Sequence, residues 1–91
     1  MSRVVNNEAE SRYELATGDG TAIAAYQMQG GTIAFTHTEV PEELEGQGIG
    51  GELVKAAFDD VRRRGLAVLP QCSFVRHYVE THPDVQDLVA G

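Results

Sequence analysis

Four glycines occupy six consecutive positions within the stretch Glu45-Gly46-Gln47-Gly48-Ile49-Gly50-Gly51. The stretch precedes a segment with apolar residues at helical spacing, so we expect it to form a helix N-terminus. The first N–H groups of a helix have no partner within it, and glycines leave them unscreened. The helix dipole also favours negative charge there. The stretch therefore predicts an anion site, for which phosphate or pyrophosphate is the natural ligand.

The familiar nucleotide-binding glycine motifs do not account for this loop. A Walker loop needs Lys and then Ser or Thr at the helix start, whereas Gly50 is followed by Gly51 and Glu52. Gly46, Gly48 and Gly51 have the spacing of a dinucleotide fingerprint, but that fingerprint also needs an acidic residue at a second strand end. On spacing alone, a tight turn that only allows close helix packing remains the alternative.

Two other side chains could take part in group transfer. Cys72 follows a predicted strand and could carry a group as a thioester, although a free cysteine is more often a small buried residue. His37 has the same strand parity as Ile33 and Phe35, which predicts that all three share a face. At the end of its strand, His37 is either a general base or a wall of the cleft.

The remaining histidines do not indicate a metal site. His77 and His82 are five positions apart and form no metal-ligand pattern with Cys72, so we predict no metal. His82-Pro83 is typical of a turn.

Composition limits the class of protein. The chain has 91 residues, enough for one domain, and no apolar run long enough to span a membrane. Its single cysteine cannot form an internal disulfide, which agrees with a reducing compartment. Since no signal segment opens the chain, we expect a cytoplasmic protein.

A net charge of -7 argues against nucleic acid and anionic membrane as partners. The basic run Arg62-Arg63-Arg64 lies at the end of a predicted helix, where cations offset the dipole. The alternative is that these three arginines contact a phosphate group of a ligand. An acidic surface favours a cationic acceptor, such as an amine.

Hydrophobic periodicity predicts the elements that position these residues. Residues 1–9 are expected to be a flexible leader and residues 10–91 a single domain. The predicted elements are strands at 11–17, 21–29 and 32–40, a helix at 48–64, a strand at 66–69, a helix at 73–81 and a turn at 83–89. This order, β-β-β-α-β-α, predicts an α/β (α+β) fold with a mixed sheet of about four strands. An antiparallel meander would lead into one right-handed parallel β-α-β crossover.

Several segments together carry a family resemblance. The loop Glu45-Gly46-Gln47-Gly48-Ile49-Gly50 resembles Gln/Arg-x-x-Gly-x-Gly/Ala, with Glu45 where Arg or Gln is frequent. The other matching segments are His37-Thr38-Glu39-Val40-Pro41, Pro70-Gln71-Cys72-Ser73-Phe74-Val75, Tyr78 and His82-Pro83. Over roughly residues 10–90, in the same order, the chain resembles a small single-domain branch of the GNAT (N-acetyltransferase) superfamily.

The resemblance implies a truncated GNAT-like fold that binds acyl-coenzyme A, normally acetyl-coenzyme A, as co-substrate. The residues implied in coenzyme binding are Thr38, Val40, Gly46, Gln47, Gly48, Ile49, Gly50 and Gly51. By analogy, the Val40 N–H would polarise the thioester carbonyl and Tyr78 would protonate the leaving thiolate.

The implied function is acyl-coenzyme A-dependent N-acyl transfer to an amine, with Cys72, His37 and Tyr78 as catalytic candidates. A non-catalytic acyl-coenzyme A-binding or protein-interaction module is the alternative. The acceptor and the oligomeric state stay open.

Overall fold

Alternating apolar and polar side chains in the first half of the chain form an antiparallel meander, and a parallel strand follows one helix later. The computed structural model describes residues 3–90. Its strands are β1 (Val4–Asn7), β2 (Arg12–Thr17), β3 (Gly20–Gln29), β4 (Thr32–Glu39) and β5 (Ala67–Pro70). Its helices are α1 (Ile49–Arg64) and α2 (Ser73–Thr81), with 3₁₀ turns at Glu42–Leu44 and Pro83–Leu88.

The strands lie in the sheet in chain order, β1 to β5. The first four pair antiparallel, while β5 pairs parallel with β4 after the α1 crossover. The predicted α+β architecture, a meander joined to one parallel β-α-β unit, is therefore confirmed.

The sheet has five strands instead of about four, because part of the expected leader is ordered. Residues 4–7 form β1, which pairs with β2, so the expectation of a flexible leader is wrong for them. The Tyr26 hydroxyl donates a 2.6 Å hydrogen bond to Asn6 Oδ1 and ties β1 to the sheet. Residues 1 and 2 of the expected leader, and residue 91, lie outside the described residues.

The core lies between one face of the sheet and the two helices. Helix α1 buries a stripe at helical spacing against the inward-facing residues of the strands. Rings from strands and helices form a continuous row through this core, in the order Tyr13, Tyr26, Phe35, Phe58 and Tyr78. The packing of this core holds the start of α1 beside the end of β4.

A β-bulge changes which side chains of β4 face the helices. Tyr26 pairs with Phe35, but Ala25 pairs with His37, so Thr36 is an additional residue on β4. An extra residue reverses the inward and outward alternation beyond it. Thr38, paired with the buried Ala24, therefore faces the helices. The prediction that His37 shares a face with Phe35 is wrong.

The basic run at the end of α1 is engaged in ion pairs. Arg62 pairs with Asp87 at 3.0 Å, while Arg63 and Arg64 pair with Asp60. Helix α1 has 16 residues, so the run lies roughly 24 Å from the glycine loop. These arginines therefore lie at the opposite end of α1 from that loop. Within residues 3–90, no helix combines the length and apolar character needed to cross a membrane.

Candidate functional site

The glycine loop reverses the chain after β4 and opens into α1. Gly46 and Gly48 have φ values of 81° and 74°, in the left-handed region that side chains other than glycine rarely adopt. The first intrahelical bond runs from the Glu52 N–H to the Gly48 carbonyl, at 3.0 Å. The N–H groups of residues 49–51 come before that bond and have no partner within the helix.

A cavity of about 430 Å³ lies at this helix N-terminus. Seven of the eight residues implied in coenzyme binding line it: Thr38, Val40, Gly46, Gly48, Ile49, Gly50 and Gly51. The eighth, Gln47, instead donates from its side-chain Nε2 to the Glu43 carbonyl, at 3.1 Å. The cavity therefore has one wall of backbone N–H donors and another of apolar side chains.

Two residues that sequence reasoning did not assign to the site, Leu44 and Phe74, also line this cavity, as does Glu45 at the start of the glycine stretch. Phe74, on α2, is 40% exposed, and its ring packs over Gly50. A Cβ atom at Gly50 would lie 2.5 Å from Phe74 Cζ, so this packing requires glycine. One sequence feature could have identified Phe74 as a site residue: it is an aromatic residue outside the buried stripe of α2. That stripe contains Val75 and Tyr78.

The N-terminus of α2 lies at the point where β4 and β5 separate. The last pair of this parallel ladder is Phe35 with Pro70, and the Cys72 N–H then donates to the Phe35 carbonyl at 2.9 Å. Cys72 occupies the N-cap position of α2. Its thiol donates to Thr38 Oγ1 at 3.3 Å. Since Thr38 also lines the cavity, the sulfur lies next to the cavity wall.

The surroundings of Cys72 lower the pKa of its thiol. Burial of the sulfur opposes ionisation, but the Thr38 hydroxyl and the N–H groups of Val75, Phe74 and Thr38 more than offset it. The pKa of Cys72 therefore lies below its ordinary value. The N–H groups of Phe74 and Val75 contribute although the sulfur makes no full capping hydrogen bond. A lowered pKa at a helix N-terminus is typical of reactive cysteines.

Replacing Thr38 by Val should raise the pKa of Cys72, because it removes the hydroxyl that favours the thiolate. The rate of Cys72 alkylation by iodoacetamide, followed against pH, measures this pKa. Cys72 is the only cysteine in the chain, so each adduct reports one site. The midpoint of the Thr38→Val profile should move to higher pH. The control is Thr36→Val, the same change at an exposed position of β4. Superimposable profiles for Thr38→Val and the wild-type protein would contradict this role of the hydroxyl.

The structure brings neither of the other two catalytic candidates to the cavity wall. His37 is 61% exposed on the sheet face opposite the helices, with its Nε2 3.3 Å from Glu39 Oε2. Tyr78 is buried, with its ring stacked on His82 at 3.7 Å and edge-on to Phe58. Burial, with a contribution from Asp84, raises the pKa of Tyr78. Tyr78 therefore acts as a core residue in this arrangement.

The turn predicted at His82-Pro83 also has a packing role. His82 ends α2, and its ring Nδ1 lies 2.8 Å from the Tyr78 carbonyl. This contact and the ring stack fix the start of the Pro83–Leu88 turn.

A mixed sheet with two separating parallel strands, and a glycine-lined helix N-terminus beside them, defines the GNAT-like class of folds. Residues 12–88 match the family described as GCN5-related N-acetyl-transferase. The chain belongs to this family.

Comparisons with individual proteins agree with this assignment. The chain is 36% identical over 63 residues to Protein NATD1 of Xenopus tropicalis and to that of Homo sapiens. It is 35% identical over 68 residues to the Danio rerio protein. These matches cover 68%, 68% and 74% of this chain, but only 58%, 56% and 62% of the relatives. The chain thus spans about three fifths of the length of these relatives.

A solved structure supports the fold over the whole chain. It is the solution structure of a GCN5-like protein from Staphylococcus aureus, a candidate N-acetyltransferase. The two align with a TM-score of 0.75 at 30% identity, over 100% of this chain and 92% of that one.

Proposed function

We propose that this protein binds acetyl-coenzyme A and transfers the acetyl group to an amine. The pyrophosphate would accept hydrogen bonds from the N–H groups of residues 49–51. One observation carries the proposal: the glycine-lined start of α1 opens onto a cavity whose wall includes Thr38, the hydrogen-bond partner of Cys72. A single ligand could therefore meet both a phosphate cradle and a reactive thiol.

Two helix N-termini provide the electrostatics of this site. The first turn of α1 lines the cavity, and so does Phe74 in the first turn of α2. Each N-terminus contributes a partial positive charge, and the N–H groups of residues 49–51 on α1 are free to donate to a ligand. This arrangement supports anion binding without a cationic side chain in the wall.

In the proposed reaction, the Cys72 thiolate attacks the thioester carbonyl carbon. A new carbon–sulfur bond forms at Cys72, and the original one breaks as the coenzyme thiolate leaves. The neutral acceptor amine then attacks the Cys72 thioester and forms a carbon–nitrogen bond. The carbon–sulfur bond to Cys72 breaks, the thiolate is restored, and the amine proton passes to solvent. Thr38 and the N–H groups at the start of α2 stabilise the thiolate before the first step and after the second. Direct attack by the amine on the bound thioester is the alternative route.

The positions of His37 and Tyr78 favour a second candidate function. His37 lies on the sheet face opposite the helices, and Tyr78 is buried in the core, so neither supplies a base or an acid at the cavity. A domain that keeps the cradle without a proton acceptor could bind acyl-coenzyme A without turning it over. This second candidate function is that of a non-catalytic acyl-coenzyme A-binding module or of a protein-interaction module.

Two measurements separate these functions. Calorimetric titration with coenzyme A and acetyl-coenzyme A tests binding. Release of free thiol from acetyl-coenzyme A, in the presence of pooled amines and peptides, tests transfer. We expect both to be positive. Binding without acceptor-dependent thiol release would favour the non-catalytic module, and no binding would overturn both functions.

Gly51→Ala should raise stability while lowering coenzyme affinity. Gly51 has no left-handed φ, and a Cβ there would meet no atom within 4 Å. Alanine should therefore stabilise the helix by about 0.5–1 kcal/mol. Because a helical Cβ tilts toward the N-terminus, it would enter the anion site. We expect affinity to fall at least about threefold.

The control is Gly31→Ala, the same change in the turn at the opposite end of β4. It should leave coenzyme affinity unchanged. Thermal denaturation and titration of both variants provide the two readouts. Unchanged affinity in Gly51→Ala would mean that the N–H groups of α1 do not hold the pyrophosphate.

A further inference from the structure

We propose that Glu45 limits coenzyme affinity by placing an uncompensated carboxylate at the wall of the phosphate cradle. The inference rests on the proposed function. It makes Glu45 a determinant of how strongly, and at what ionic strength, the site accepts a polyanionic ligand.

The placement of Glu45 is the first step. It comes directly before Gly46, and both residues line the cavity. The Glu45 backbone is held by a hydrogen bond from its N–H to the Glu42 carbonyl, at 3.2 Å. Its side chain is exposed, and no hydrogen bond or ion pair engages it among residues 3–90. Glu45 therefore adds a full negative charge one residue before Gly46, with no partner for its carboxylate among residues 3–90.

The cations of the chain do not offset this charge. Six of the seven Lys and Arg side chains pair with a carboxylate: Arg3, Arg12, Lys55, Arg62, Arg63 and Arg64. The seventh, Arg76, donates to the carbonyls of Pro70 and Gln71. None of the seven lines the cavity. The cavity wall therefore offers a ligand phosphate N–H donors and one acidic residue, with no cationic side chain.

The charges involved make the effect measurable. A helix N-terminus contributes about half a positive charge, whereas Glu45 contributes a full negative one. Repulsion across water falls with distance and salt, since the screening length is about 30 Å at 0.01 M but about 8 Å at 0.15 M. The carboxylate should therefore weaken binding most at low ionic strength. Coenzyme affinity of the wild-type protein should rise as salt is added.

The test is calorimetric titration with coenzyme A, at about 0.01 M and about 0.15 M ionic strength. It compares the wild-type protein with Glu45→Gln and with the control Glu43→Gln. Both variants remove one negative charge from the same loop, but Glu43 does not line the cavity. At low ionic strength, Glu45→Gln should bind at least about threefold more tightly than Glu43→Gln. The difference should shrink at the higher ionic strength.

Each outcome decides one question. An equal gain in both variants would overturn the inference, because net charge alone would explain it. Weaker binding in Glu45→Gln would overturn it as well, and would indicate that the carboxylate contributes to the cradle. If none of the three proteins binds coenzyme A, the proposed function fails together with the inference. Equal thermal stability of the two variants excludes a folding defect as the cause.

Discussion

Incubation with acetyl-coenzyme A should add one acetyl group to Cys72, and Cys72→Ala should abolish both this adduct and acyl transfer. The expected loss of transfer rate is at least about 100-fold, because the variant lacks the nucleophile of the proposed route. The expectation depends on the 3.3 Å contact between Cys72 and Thr38 and on the lowered pKa of the thiol. Intact mass spectrometry detects the adduct, which hydroxylamine should remove.

Two controls separate chemistry from structure. Coenzyme affinity of Cys72→Ala should stay close to that of the wild-type protein, because Cys72 is not part of the glycine loop that would hold the pyrophosphate. Cys72→Ser keeps a polar N-cap for α2 and should fold normally, yet show the same loss of transfer. Unchanged turnover in Cys72→Ala would contradict the covalent route and favour direct attack by the amine. Thr38→Val should slow adduct formation at a given pH without abolishing it.

The parts of this molecule that follow local rules could be predicted from sequence. The repeat of Ile49, Leu53, Ala57 and Val61 indicated α1, whose observed bounds differ from the prediction by one residue. Glycines before that repeat indicated a free helix N-terminus, and the observed cavity lies there. Each of these inferences needs only residues within a few turns of one another.

The position of His37 could not be predicted, because it depends on one residue in a strand. Strict alternation from Phe35 places His37 on the helix side, whereas the extra residue Thr36 turns it to the opposite face. A bulge reflects the fit of β4 against β3, and the sequence of β4 alone does not contain that information. The same bulge turns Thr38 toward Cys72.

Strand β1 could not be predicted from the sequence for a related reason. Its four residues are too few to show a periodicity, and its stability comes from pairing with β2. The side-chain contact from Asn6 to Tyr26 joins residues twenty positions apart. Long-range pairing, rather than local preference, orders this segment.

Gly50→Ala should destabilise the fold by about 1–3 kcal/mol and weaken coenzyme binding at least about tenfold. Gly50 is buried at the start of α1. A Cβ there would lie 2.5 Å from Phe74 Cζ and 3.3 Å from Val40 Cγ2, so it does not fit while the Phe74 ring keeps its position. The Phe74 ring would have to move, and that ring is part of the cavity wall. Denaturant unfolding and coenzyme titration give the two quantities.

A double-mutant cycle with Phe74→Ala tests the cause of both losses. If the clash with the ring is responsible, Gly50→Ala should cost little stability once the ring is absent. The double variant should then lose less stability than the sum of the losses in the two single variants. A Gly50→Ala protein as stable as wild type would contradict the observed contact. If affinity returns together with stability in the double variant, the displaced ring alone obstructed the cradle. If stability returns while affinity stays low, the ligand itself uses the Phe74 ring. Phe74 would then be the residue that joins the phosphate cradle on α1 to the thiol at the start of α2.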